Sequence, residues 1–129
     1  MRMVVLIAAA CGGSWAPVLS VGGTYATQVS LLPGNTCGDV QVQNEQTVVD
    51  HSPGSGSLRL THAGSTYDGT VDRTGNFTVP AVQRSGFTIS IAGQFNATGF
   101  TATVTVDPPN CEYEVSWLGS KSGPANTFP

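Results

Sequence analysis

Charge is scarce in this chain. Only 10% of its 129 residues are Asp, Glu, Lys or Arg, against about 25% in an average soluble domain. Five basic side chains stand against eight acidic ones, for a net charge of −3. A nucleic-acid backbone is held by a stripe of Lys and Arg; five scattered cations do not supply one, so nucleic acid is not an expected partner. There are two histidines and three cysteines, with no Cys-x-x-Cys pair and no Cys/His cluster, which leaves no zinc site and no dithiol redox motif. No cofactor is expected. The apolar run Val4 to Ala10 is too short to span a hydrocarbon core of about 30 Å, and no stretch beyond it has a helical period. The chain also falls short of the roughly 200 residues at which Rossmann and barrel-type α/β enzymes begin. What remains is one small domain, long enough for a core and rich in Thr, Val, Ser and Gly, which favours strands joined by turns.

The N-terminus reads as an address. Arg2 precedes the apolar run, and small residues follow it in Cys11-Gly12-Gly13-Ser14, the layout of a secretory signal. The stretch Leu6-Ile7-Ala8-Ala9-Ala10-Cys11 resembles the lipobox of bacterial lipoproteins. That resemblance implies removal of residues 1–10 as a signal peptide, a lipid on Cys11 as the mature terminus, and anchoring in the cell envelope, at the outer membrane or cell surface. It departs from the pattern in having Ala three residues before the cysteine and a very short basic region. A plain signal peptide cut elsewhere is the alternative. Residues 12–23, with Pro17 and several glycines, read as a flexible tether, with Trp15 on the domain's end or at a membrane interface. Given a lipid on Cys11, Cys37 and Cys111 remain as the disulfide pair of an exported chain.

From Thr24 onward, apolar and polar residues alternate with period two, as in strands with one buried face. Phe87 to Phe95 places Phe87, Ile89, Ile91 and Phe95 on one side. Phe100 to Val106 turns three threonines outward, and Cys111 to Trp117 turns Cys111, Tyr113, Val115 and Trp117 inward. Earlier strands are expected at 24–32, 40–50, 58–62, 66–73 and 76–83, the last bent or bulged at Pro80 because proline cannot donate to a ladder. Short Gly-, Pro- and Asn-rich turns separate them, and short links join antiparallel neighbours. The sequence therefore predicts an all-β domain over residues 24–120, an eight-stranded antiparallel up-and-down meander, followed by a C-terminal tail over 121–129.

The cysteine pair tests whether this meander closes. Cys37 follows the first strand and Cys111 opens the eighth, at the same end. A flat sheet would hold them more than about 30 Å apart, whereas a disulfide needs Cα atoms within about 7 Å. Closure into a small barrel satisfies the pair; a coiled β-sandwich is the alternative.

Chemistry is thin. Asp50-His51 has an acid beside a histidine, but no serine sits in a nucleophile elbow; Gly12-Gly13-Ser14-Trp15-Ala16 comes nearest and lies in the tether. Glu112 and Glu114 share an outward face, and Asp68 and Asp72 are too far apart along a strand to chelate one ion. Asp72 to Asn76 reads as a hairpin turn rather than a calcium loop. Two Asn-x-Thr matches, at Asn76 and Asn96, carry no weight in a bacterial chain. The inward aromatic set is the strongest feature: Tyr25, Tyr67, Phe77, Phe87, Phe95, Phe100, Tyr113 and Trp117. An eight-stranded barrel is either filled by such rings or holds one small ligand. In the second case His62, Tyr67, Tyr113 and Trp117 are the candidate ligand-binding residues, offering polar tips in an apolar cup. Gly13-Ser14-Trp15 and Gly23-Thr24-Tyr25 loosely resemble the Gly-x-Trp opening of lipocalins and calycins, which would imply a carrier of a small apolar ligand. The expected function is a non-catalytic, lipid-anchored envelope module whose partners are the membrane, through Cys11, and a small apolar ligand or an envelope protein. A hydrolase and an outer-membrane barrel are the alternatives.

Overall fold

A computed structural model describes residues 17–129; the signal segment, Cys11 and Trp15 lie outside the described residues. Eight strands follow one another as β1 (Gly23–Leu31), β2 (Glu45–Asp50), β3 (Ser57–His62), β4 (Ser65–Val71), β5 (Asn76–Arg84), β6 (Phe87–Asn96), β7 (Gly99–Asp107) and β8 (Tyr113–Lys121). Each pairs antiparallel with the next, and β1 pairs with β8 from Tyr25↔Lys121 to Leu31↔Val115, closing the barrel. The meander and its closure are as the sequence predicts.

Alternation decides which side each residue takes. Leu58, Leu60, Tyr67, Ile91, Val104, Val115 and Trp117 face in and are buried. Thr101, Thr103 and Thr105 face out, where β-branched side chains suit a solvated sheet. The barrel has two unlike ends. Its base carries the turns around 51–56, 72–75 and 97–98. Its mouth carries the turns at 63–64 and 85–86 and the longer segments 32–44 and 108–112.

The base is solid. Tyr25, Phe77, Phe95 and Phe100 are each at most 2% exposed, with ring centroids 4.7–6.0 Å apart in tilted and edge-on arrangements, the geometry aromatic quadrupoles prefer. Two glycines make room for them. A Cβ on Gly93 would lie 2.7 Å from the Phe77 ring, and one on Gly119 would overlap the Phe100 ring. The sheet thus gives up side chains on β6 and β8 to admit rings from β5 and β7.

The segments flanking the barrel complete the base: residues 17–23, expected as a flexible tether, and the C-terminal tail both pack there. Leu19 and Val21 are buried, as is Asn126. Ser20 and Thr127 exchange backbone hydrogen bonds of 3.0 and 3.1 Å. The Tyr25 hydroxyl donates to the Val21 carbonyl at 2.6 Å, with Asn126 Oδ1 at 3.1 Å. Burial pushes the Tyr25 phenol up to about 12. The physical reason is that Leu19 and Val21 continue the inward phase of β1 and cover rings that would otherwise meet water.

The mouth is riveted. Cys37 and Cys111 form a disulfide with Cα atoms 5.0 Å apart. Leu32 N donates to the Glu114 carbonyl and Thr36 N to the Glu112 carbonyl, at 2.9 and 3.0 Å, extending the β1–β8 pairing to the sulfurs. Strand β2 is shorter than predicted. Residues 40–44 leave the sheet, because Asn44 Oδ1 takes the Val29 amide at 2.9 Å and ends the β1–β2 ladder. Strand β5 carries the bulge anticipated at Pro80, between Val79 and Val82.

Two outcomes follow for stability. Replacing Cys37 and Cys111 together by Ala is expected to cost about 4 kcal/mol of unfolding free energy by chemical denaturation, the chain-entropy value for a closed loop of this length. Gly119→Ala is expected to cost about 1–3 kcal/mol, and Phe100→Leu in the same chain should recover part of it; a simple sum of the two losses would refute the proposed overlap.

Candidate functional site

Among the described residues, the polar side chains that the wall turns inward and buries deeply are Thr27, Thr47 and His62, each at most 9% exposed, in the interior between base and mouth. They lie side by side because β1, β2 and β3 are in register, Thr47 opposite both Tyr25 and His62. Thr27 Oγ1 donates to the Tyr25 carbonyl at 3.3 Å, Thr27 and Thr47 hydroxyls meet at 2.7 Å, and Thr47 Oγ1 meets His62 Nδ1 at 2.8 Å.

These side chains form one hydrogen-bonded chain in which either threonine hydroxyl can donate and the role of Nδ1 follows the imidazole tautomer; Nε2 has no hydrogen-bond partner among the described residues. Burial lowers the His62 pKa below its ordinary 6.5, partly opposed by the Glu45 carboxylate. The ring stacks on Trp117, centroids 3.9 Å apart and planes 21° apart.

Of the four candidate ligand-binding residues, the structure brings two together, His62 and Trp117. Tyr67 and Tyr113 line separate cavities. Tyr113 is half-buried beside Pro33, Gly34, Thr105, Glu112 and Glu114. Tyr67 borders a cavity of about 300 Å³ between β4 and β5, with Thr66, Pro80 and Arg84. The mouth's inner rim is apolar and half-buried, made by Val29, Val82, Phe87 and Tyr113.

His51 is structural. Its Nδ1 accepts the Val21 amide at 3.3 Å, and its Nε2 donates to the Ser55 carbonyl at 2.8 Å. Both nitrogens are thus engaged with backbone and neither with Asp50, so the triad geometry is missing at this pair. Asp72 organises the β4–β5 hairpin: its Oδ1 accepts from the Thr74 and Asn76 amides at 2.9 and 3.0 Å. Among the described residues no group of three His, Cys, Asp or Glu side chains could hold a metal ion.

Sequence reasoning missed three residues here. Thr27 and Thr47 share the inward phase of their strands, yet a threonine there reads as filler until His62 is seen beside it. Arg84 falls outward if period two is counted from Phe77. The bulge adds one residue, so Val82 faces Ile89 and Arg84 faces Phe87 across the ladder, both in the inward phase. Compared with known protein families, curated proteins and solved structures, the chain matches none.

The lowered pKa of His62 has a defined sign. The fold prefers the neutral ring, so its contribution is complete above pH 6.5 and is lost as pH falls through the depressed folded value. Denaturation midpoints at about pH 7.5 and about pH 5 should therefore fall more in the wild type than in His62→Gln. Equal losses would refute this coupling.

Proposed function

We propose that this chain is an exported, lipid-anchored protein of the bacterial cell envelope, held to the membrane by a lipid on Cys11, and that its barrel is a non-catalytic binding module. The observation that carries the export reading is the Cys37–Cys111 disulfide, since such bonds persist in oxidising compartments. With these two sulfurs paired, Cys11 remains as the third cysteine of the chain, in the lipobox-like setting of residues 6–11.

The module reading draws on the division between base and mouth. Four packed rings occupy the base, which favours recognition at the mouth over storage of a ligand deep inside. A lipocalin-like carrier of a small apolar ligand is the second reading, favoured by His62 Nε2, which has no hydrogen-bond partner among the described residues. A hydrolase has little support, because His51 spends both nitrogens on backbone. An outer-membrane barrel would need an apolar band facing lipid, while β7 turns Thr101, Thr103 and Thr105 outward and β4 turns out Thr66, Asp68 and Thr70.

Labelled palmitate fed to a bacterium expressing the full chain is expected to enter the protein, which should sediment with membranes. Cys11→Ala should abolish the label and move the protein to the soluble fraction. A wild-type chain that stays unlabelled, with a mature terminus other than Cys11, overturns the anchor.

A further inference from the structure

The barrel wall is incomplete at one seam. Strands β4 and β5 pair only at Thr70↔Thr78 and Val71↔Phe77. Above those rungs, Ser65 to Gly69 of β4 have no partners on β5. The cause lies in β5: Pro80 has no amide to donate, and the bulge between Val79 and Val82 turns the strand aside. The opening is the cavity of about 300 Å³ bordered by Tyr67, Val79, Pro80, Val82 and Arg84.

The same bulge brings Arg84 into the inward phase. Its guanidinium lies 5.0 Å from the centroid of the Tyr67 ring, and one Nη2 N–H donates to the Thr66 carbonyl. Among the described residues no carboxylate forms an ion pair with it. Asp68 also borders the cavity: its Oδ1 accepts from Arg59 Nε at 2.8 Å, and that bond, with the nearby Arg84 charge as a lesser cause, holds its carboxyl below the usual carboxylate range. Glu45, on β2, accepts from Gln43, and Glu114, on β8, accepts from the Thr105 hydroxyl. A guanidinium held over a π-face, with N–H donors left over, is a ready anchor for an anion.

We propose that the β4–β5 seam is a binding site for a small organic carboxylate, whose oxygens take the free N–H groups of Arg84 while its body lies on Pro80, Ala81 and Val82 beside Tyr67. A guanidinium fork matches a carboxylate in a planar, bidentate way. The cavity stands at the lower end of small-molecule sites, which suits a small acid and excludes a peptide segment. This assignment rests on the reading of the barrel as a binding module and is independent of the anchor, because the two have separate readouts.

The test is a titration of the full chain, labelled with ¹⁵N, with benzoate, octanoate and neutral benzamide. Saturable shifts of the Thr66, Val82 and Arg84 resonances are expected with at least one acid and none with benzamide. Tighter saturation by octanoate identifies an aliphatic acid, such as a lipid-derived one; tighter saturation by benzoate identifies an aromatic one. Arg84→Gln should weaken binding at least about tenfold, and Arg84→Lys, which keeps the charge without the fork, should fall between. Tyr67→Phe preserves the ring, so it should keep the fold and most of the binding. Absence of saturation in the wild type, benzamide binding as well as benzoate, or unchanged affinity in a folded Arg84→Gln overturns the proposal and leaves Arg84 as a patch over the gap.

Discussion

The pairing of β1 with β8 is the constraint on which the rest depends. Seven residue pairs, Tyr25↔Lys121 to Leu31↔Val115, join the first and last strands. Without them the sheet would have two open edges and no interior. Closure is a non-local contact made late along the chain, and its loop entropy is large. The disulfide just beyond the ladder's end holds that same junction, so one covalent bond reduces the freedom of the unfolded chain at the point where the fold needs it most. Every inward side chain owes its burial to this ring being shut.

Closure also divides the barrel into unlike halves. At the base, rings meet edge to face above glycines, and the chain ends cross beneath them. Bulk there is traded for density: Gly93 and Gly119 give up side chains so that Phe77 and Phe100 can enter. Toward the mouth the packing becomes mixed, with a hydrogen-bond chain linking His62, Thr47, Thr27 and the Tyr25 carbonyl. Low local dielectric strengthens such a chain when each member is satisfied. His62, whose Nε2 has no hydrogen-bond partner among the described residues, ends β3 on the mouth side of the barrel, where half-buried apolar residues meet solvent.

Most of the architecture is legible in the sequence, because period-two alternation and short turns act locally and the cysteines report on closure globally. Phe87 to Phe95 and Phe100 to Val106 need no tertiary information to be read as strands. The failures have specific origins. Leu19 and Val21 are two apolar residues in a glycine-rich stretch, too few to register as a strand, although they continue the phase of Tyr25. Residues 40–44 alternate adequately, but a side-chain amide from Asn44 replaces the next rung. Arg84 lies one residue beyond the expected strand 76–83 and takes the inward phase because of the bulge, and Pro80 marks where a bulge occurs without giving its size. The polar relay is legible only in register, since Thr27, Thr47 and His62 are far apart along the chain and adjacent only across strands.

The chain enters the barrel and leaves it at the same pole. Ser20 and Thr127 lie on adjoining segments beneath the aromatic base, while the disulfide and the split seam lie toward the opposite pole. The incomplete wall and its arginine are thereby set toward the pole away from the one at which the described chain enters and leaves, so a ligand at the seam and the crossing segments at residues 20 and 127 occupy separate ends of one small barrel.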